Sequence, residues 1–255
     1  MPKTVVEINE LNKSYFIGSY NFKKLKNLIF NNVEKNNLIK RNENFLALKN
    51  INLNIKDNEN IALIGENGMG KSTLCKIIAG ITEPDSGSIK IDGKIIPMLN
   101  LHYGIELECT GLENIYFLGS AFGASKTMIE KKLDEILEFS ETKKYLNTQL
   151  KKYSSGMFTR LVFSTLVHLE GDIIIADEIL AVSDQRFKEK CIEKLKDLNN
   201  QGKSLICVSH EQNIISKICT KAYVFLEQGV ISEKLDIEEA YDYYNEKTII
   251  NFKKN

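Results

Sequence analysis

The segment Ile61-Ala62-Leu63-Ile64-Gly65-Glu66-Asn67-Gly68-Met69-Gly70-Lys71-Ser72-Thr73 decides the fold. Ile61–Ile64 is apolar throughout, as a strand covered on both faces must be. A glycine-rich loop follows and leads into a segment of helical character. Gly65-x4-Gly70-Lys71-Ser72 fits the P-loop pattern, in the strand-then-helix setting that pattern requires. Glycines there let backbone N–H groups curl around phosphates, and the helix N-terminus adds positive potential. Lys71 is expected to meet the β- and γ-phosphates, and Ser72 to offer its hydroxyl to Mg²⁺. Gly65, Glu66, Asn67, Gly68, Met69, Gly70, Lys71, Ser72 and Thr73 are thus the predicted phosphate cradle, with ATP and Mg²⁺ as predicted cofactors. A plain glycine turn capping a helix is the bland alternative, and the flanking strand and helix argue against it.

Outward from this loop, short apolar runs alternate with helical patterns, which predicts an α/β fold with a mainly parallel core sheet. Strands are expected at Val5–Ile8, Ile51–Ile55, Ile61–Ile64, Ile173–Ala176, Leu205–Val208 and Ala222–Leu226. After three of them come Gly65, Asp177-Glu178 and Ser209-His210. Ligands of open α/β sheets bind beyond the carboxyl ends of the strands, so these polar groups are expected to converge on one edge. Asp177 suits Mg²⁺ by way of water, Glu178 can act as general base on the attacking water, and His210 can donate to the γ-phosphate. Glu178, His210 and Lys71 are the predicted catalytic residues, and Ser72 and Asp177 the metal ligands. His102 and His168 receive no role; His168 sits in an apolar helix and is expected to pack.

Residues 125–139 carry Met128, Ile129, Leu133, Ile136 and Leu137 at the spacing of one helix face. A helical subdomain is expected at about 100–165. Asp236–Tyr244 reads as a further helix, followed by a frayed tail at Asn251–Asn255. The chain of 255 residues has room for one well-buried α/β domain, and 1–255 is taken as that domain. Lys+Arg and Asp+Glu both number 34, so no global field steers it toward nucleic acid. The 5 cysteines are scattered without a CxxC pair and read as reduced thiols. No apolar run is long enough to span a bilayer, so a cytosolic or membrane-peripheral protein is expected.

Tyr153-Ser154-Ser155-Gly156-Met157-Phe158-Thr159-Arg160 opens a helix running to about Leu169, with Ser154 as a good N-cap. Lying between the P-loop and Asp177-Glu178, it resembles the Leu-Ser-Gly-Gly-Gln signature of the ATP-binding subunits of ABC transporters. The resemblance implies the ABC-type nucleotide-binding fold, with an antiparallel β subdomain and a helical signature subdomain. It also implies a head-to-tail homodimer in which Ser154, Ser155 and Gly156 contact the ATP held by the other subunit. The form Tyr-Ser-Ser-Gly-Met, the stretch Asp177–Asp184 followed by Phe187 and Cys191, and Thr110-Gly111-Leu112-Glu113-Asn114 are similar to the polysaccharide-exporter subgroup. That subgroup serves O-antigen, capsule and teichoic acid. The implied partners are an integral membrane permease, a second copy of the chain and a lipid-linked glycan; the implied place is the cytoplasmic side of the membrane. Ser183-Asp184 would then communicate across the dimer. Drug, lipid or peptide export is the second reading, and a soluble ribosome- or DNA-repair-type ATPase the third. Some exporters of this subgroup add a C-terminal glycan-binding domain, and the chain is expected to lack one.

Two departures stand out. Between Gly93 and Asn114 there is no glutamine where the family's Q-loop offers one; the chain reads Leu99-Asn100-Leu101-His102-Tyr103-Gly104. The aromatic that stacks on adenine is expected to be Tyr15, just after the first strand, with Phe16 and Tyr20 as alternatives. Within a basic insertion at about 16–45, residues 21–41 hold Lys23, Lys24, Lys26, Lys35, Lys40 and Arg41 against one acid, Glu34. It reads equally as a segment lying on anionic headgroups or as a solvated helix on the sheet edge.

Overall fold

The structure, a computed structural model, describes residues 3–17, 43–99, 101, 103–177, 184–209, 211–227 and 229–252. Continuous apolar runs make the centre of the larger sheet. Strands β3 (Asn60–Ile64), β6 (Ile173–Asp177) and β7 (Ser204–Val208) are buried at every position. They run parallel in the order β8-β3-β7-β6-β5, with β8 at Lys221–Glu227 and β5 at Ile95–Met98. The short strands β9 (Val230–Ile231) and β10 (Leu235–Asp236) add antiparallel to β8.

Alternation along these strands divides the core in two. Ile61, Leu63, Ile173, Ile175, Ile206 and Val208 face helix α1 (Lys71–Ile78) and the smaller sheet. Their neighbours Ala62, Ile64, Ile174, Ala176, Leu205 and Cys207 face the other helices. Both faces are therefore dry, and the polar residues these strands carry, Asn60, Asp177 and Ser204, stand at their ends. That second layer contains α2 (Gly111–Ala121), α3 (Lys126–Ser140), α4 (Ser155–Val167), α5 (Gln185–Asn200), α6 (Gln212–Ile218) and α7 (Ile237–Phe252). In α3 the expected face packs inward, with Ile129, Ile136 and Leu137 buried and Ser125 capping its N-terminus. His168 packs as expected: it is buried, Phe139 meets it edge-on, and its Nδ1 lies 2.7 Å from the Ser164 carbonyl. Burial lowers its pKa.

The smaller sheet is antiparallel, ordered β2-β1-β4, with β1 at Thr4–Ile17, β2 at Glu43–Lys56 and β4 at Ser86–Ile91. The expected strands Val5–Ile8 and Ile51–Ile55 are thus parts of two long strands, interrupted by register shifts. Two expectations need correction here. Phe16 and Ile17 belong to β1, and Glu43, Asn44 and Phe45 to β2, so the insertion begins after residue 17 and ends before residue 43. Tyr15 lies within β1, opposite Phe45, rather than after the strand. The insertion's basic residues and Tyr20 lie outside the described residues. At the C-terminus, the helix expected at Asp236–Tyr244 continues to Phe252, so Asn251 and Phe252 are helical rather than part of a tail. Among the described residues no helix is long and apolar enough to cross a membrane.

Candidate functional site

The loop after β3 holds its shape through backbone conformations that only glycine adopts without strain. Gly65, Gly68 and Gly70 have φ of 152°, 80° and 106°. Neighbours press on two of them. A Cβ on Gly70 would lie 2.4 Å from the Ala47 carbonyl oxygen, and one on Gly65 would lie 2.8 Å from the Phe225 Cβ. At Gly68 nothing lies within 4 Å of an added Cβ. Sequence reasoning missed a further support, Gly229 in the β8–β9 turn (φ 75°). Its N–H donates to the Met69 carbonyl at 3.2 Å and its carbonyl accepts from Lys49 N–H at 2.6 Å. A glycine three residues beyond the predicted strand Ala222–Leu226 was the available signal for it.

Helix α1 starts from Gly70 without a side-chain cap, so its first N–H groups remain directed at the loop. Lys71 is buried, and its Nζ donates to the carbonyls of Gly65 and Glu66, both at 2.7 Å. Ser72 is exposed and Thr73 half-buried on the first turn. Asp177 ends β6, buried, opposite Val208 of β7. Burial pushes the Cys75 thiol well up, and the nearby Asp177 carboxylate adds to this while Lys71 opposes it. Lys71 and Asp177 therefore act on one small region at the carboxyl ends of β3 and β6. Glu178, Ser183 and His210 lie outside the described residues, as do Asn100 and His102.

Ser154 caps α4 as expected, accepting from Met157 N–H at 3.2 Å. The helix ends at Val167, two residues before the expected Leu169. Ser154 and Ser155 are exposed, and nothing lies within 4 Å of a Cβ built on Gly156. Tyr153 anchors the segment from behind: its hydroxyl donates to the Tyr145 carbonyl at 2.8 Å and sits against Gly111. Thr110-Gly111-Leu112-Glu113-Asn114 thus has a physical reason. Thr110 and Glu113 form a capping box, and Gly111 leaves room for Tyr153. The buried Asn114 side chain accepts from Glu106 N–H at 2.8 Å and donates to the carbonyls of Glu106, Cys109 and Thr110.

Tyr15 is 38% exposed, with the Lys13 ammonium 5.6 Å from its ring centre. Lys13 pairs with Leu48, whose side chain abuts Gly70, so Tyr15 stands on the hairpin that flanks the loop. Phe16 is more exposed still, at 56%. A separate apolar cleft of about 390 Å³ opens between β5, α2 and α4, lined by Ile81, Pro97, Leu99, Tyr103, Leu118 and Phe122. It reaches Ala79 at the far end of α1, roughly 12 Å along the helix from Lys71.

A loop cradled by glycine at a strand's carboxyl end, leading into an uncapped helix, is the mark of the P-loop nucleotide-binding proteins. Within that class the chain belongs to the ABC transporter family, whose sequence profile matches residues 48–181. It is 36% identical to the teichoic acids export ATP-binding protein TagH of Bacillus anthracis, over 94% of this chain and 42% of the relative. It is 32% identical to the O-antigen export system ATP-binding protein RfbB of Klebsiella pneumoniae, over 95% of this chain and 98% of that one. The ABC transporter protein AbcA of Aeromonas salmonicida is 39% identical over 73% of this chain and 60% of its own length. The chain thus spans less than two thirds of two of these curated relatives. Among solved structures, a dimeric ATP-binding cassette in a post-hydrolysis state with ADP and phosphate superposes with a TM-score of 0.72. That match is 24% identical and covers 91% of this chain and 98% of the other. At that identity it bears on the fold alone, which it matches in its mixed sheets and helical layer.

Proposed function

We propose that this chain is the ATP-hydrolysing subunit of an exporter that moves a lipid-linked cell-surface polysaccharide across the cytoplasmic membrane. The observation that carries this reading is its similarity, over nearly its whole length, to ATP-binding proteins of teichoic acid and O-antigen export. The loop's geometry supports the ATP half of the reading. Phosphates would enter over Gly68, receive the N–H groups of the loop and of α1, and draw Lys71 Nζ from the Gly65 and Glu66 carbonyls. Mg²⁺ usually takes one or two protein oxygens plus substrate phosphates, and the Ser72 hydroxyl and Asp177 carboxylate suit it. The ion's chemistry is to offset the charge of the phosphoryl group in transfer. Glu178 would orient and deprotonate the attacking water, and His210 would contact the γ-phosphate.

Two chains would close head to tail, with exposed Ser154 and Ser155 and half-buried Gly156 of one completing the site on the other. Tyr15 is the candidate for stacking on adenine. An integral membrane permease would bind on the cytoplasmic side, and the apolar cleft around Tyr103 is a surface such a partner could fill. The test is Glu178→Gln in the purified chain with ATP and Mg²⁺, followed by light scattering after gel filtration. A stable dimer with no turnover is expected. A variant that stays monomeric, or that hydrolyses ATP at the parent's rate, would refute the mechanism.

A further inference from the structure

Two ion pairs meet on the first turn of α5, and neither belongs to the phosphate site described above. Asp184 caps that helix, accepting from Arg186 N–H at 3.0 Å and Phe187 N–H at 3.2 Å through Oδ1. Its other oxygen pairs with Arg160 of α4, the helix that Ser154 opens. Arg160 also reaches Glu141 at 2.7 Å and lies over the Phe187 ring, 5.1 Å from its centre. The Phe187 N–H and then the Arg160 guanidinium hold the Asp184 carboxyl below its usual range. The start of α5 is thereby fixed to the helix behind Ser154.

One turn along, the Lys188 N–H bonds to the Asp184 carbonyl at 2.9 Å, which places the two side chains on neighbouring positions of one face. Lys188 Nζ donates to both carboxylate oxygens of Glu211, at 2.6 and 2.7 Å. The Lys188 side chain is 11% exposed and that of Glu211 52%. Glu211 occupies the N-cap position of α6 but does not cap it. A cap position favours a short acceptor; here a long acid instead reaches back to Lys188. Its N–H donates to Ser209 Oγ at 3.1 Å, so Glu211 is tied both to α5 and to the residue that follows β7. Withdrawing a lysine from water for one half-exposed acid is a weak route to stability. It is an effective way to fix where one loop sits relative to another.

We infer that Lys188 is a positioning residue for ATP hydrolysis. Through Glu211 it sets the segment carrying His210 against the same helical turn that Arg160 fixes to the Ser154 helix. α5 is then a strut between the segment proposed to serve the partner's nucleotide and the segment proposed to sense the chain's own. The inference rests on the proposed ATPase reading.

The test uses the full chain with ATP and Mg²⁺. Lys188→Met is expected to lower kcat about tenfold, within the range for residues that act through a neighbour. KM for ATP and the affinity for a fluorescent ATP analogue should stay within about twofold, since no contact to bound ATP is removed. Lys188→Arg, which can also grip a carboxylate with two donors, should keep most of the parent rate. The reversed pair Lys188→Glu with Glu211→Lys should recover most of what Lys188→Met loses. Glu211→Gln weakens the same pair at a half-exposed site and decides the matter if Lys188→Met fails to fold. A kcat within about twofold of the parent in both Lys188→Met and Glu211→Gln overturns the inference. So does a loss that neither the arginine nor the reversed pair relieves. Glu178→Gln is run in parallel: abolished turnover there with normal Lys188 variants condemns the positioning role alone, and persistent turnover overturns both readings.

Discussion

Replacing Gly70 with alanine isolates what the loop's shape is worth. The residue has φ 106° and ψ −1°, and its added Cβ would lie 2.4 Å from the Ala47 carbonyl oxygen and 2.9 Å from Leu48 Cδ2. Backbone strain of this kind costs about 1–3 kcal/mol. The overlap is with main chain in β2, which cannot swing aside, and overpacking of a fixed wall costs a further ~1–3 kcal/mol. Gly70→Ala should therefore destabilise the fold by roughly 2–6 kcal/mol, or shift Tm down by about 10 °C for a chain of this size. Gly68→Ala is the control. Its φ of 80° carries strain, but nothing lies within 4 Å of the new Cβ, so only about 1–2 kcal/mol should be lost. Thermal unfolding by circular dichroism gives the first quantity, and titration with a fluorescent ATP analogue the second. Lys71 follows Gly70 directly, so nucleotide affinity should collapse with Gly70→Ala. A Gly70→Ala chain as stable as Gly68→Ala, binding nucleotide as the parent does, would refute the reasoning.

Asn114→Ala should cost about 1–3 kcal/mol by stranding the N–H and carbonyl groups of the 106–110 turn, and limited proteolysis should show new cleavage there; unchanged protection would contradict the account. His168 has a lowered folded pKa because it is buried. As pH falls below its unfolded value of about 6.5 the unfolded chain takes the proton first, so stability declines from there until pH passes the folded pKa. Urea melts of His168→Phe should lose part of that slope, and parallel curves for variant and parent would dismiss the effect. Mixing Lys71→Met chains with Ser154→Arg chains, each inactive alone, should restore ATPase activity, because the mixed dimer contains one intact composite site. No recovery in a mixture proven to contain heterodimers would argue against head-to-tail pairing.

The elements read most readily from sequence share a physical property. β3, β6 and β7 are covered on both faces, so their central positions are unbroken apolar runs, and the P-loop declares itself by glycines, two of which, Gly65 and Gly70, have no room for a Cβ. The elements missed have the opposite character. β4 is largely exposed and carries no clear alternation, and β5 is a four-residue edge strand containing Pro97. The lengths of β1 and β2 were underread because register shifts break the period-two pattern. Tyr15 was placed beyond its strand for the same reason. At the candidate site, Lys71, Ser72, Asp177 and Ser154 are proposed from motifs, each of which is local. Gly229, the Arg160–Asp184 pair and the Lys188–Glu211 pair join segments far apart in sequence, and no local pattern announces them.

The pairing of Ile17 with Glu43 at the open end of the β1–β2 hairpin has a practical consequence. Whatever chain runs between those two residues has its entrance and exit already stapled side by side by the sheet. Were a flexible linker placed between them, doubling its length would cost only about 0.6 kcal/mol. The paired ends are a socket: Ile17 and Glu43 hold a fixed spacing at which a connecting sequence can be attached. The same socket offers a place to graft a fluorescent or affinity tag, leaving both chain ends untouched.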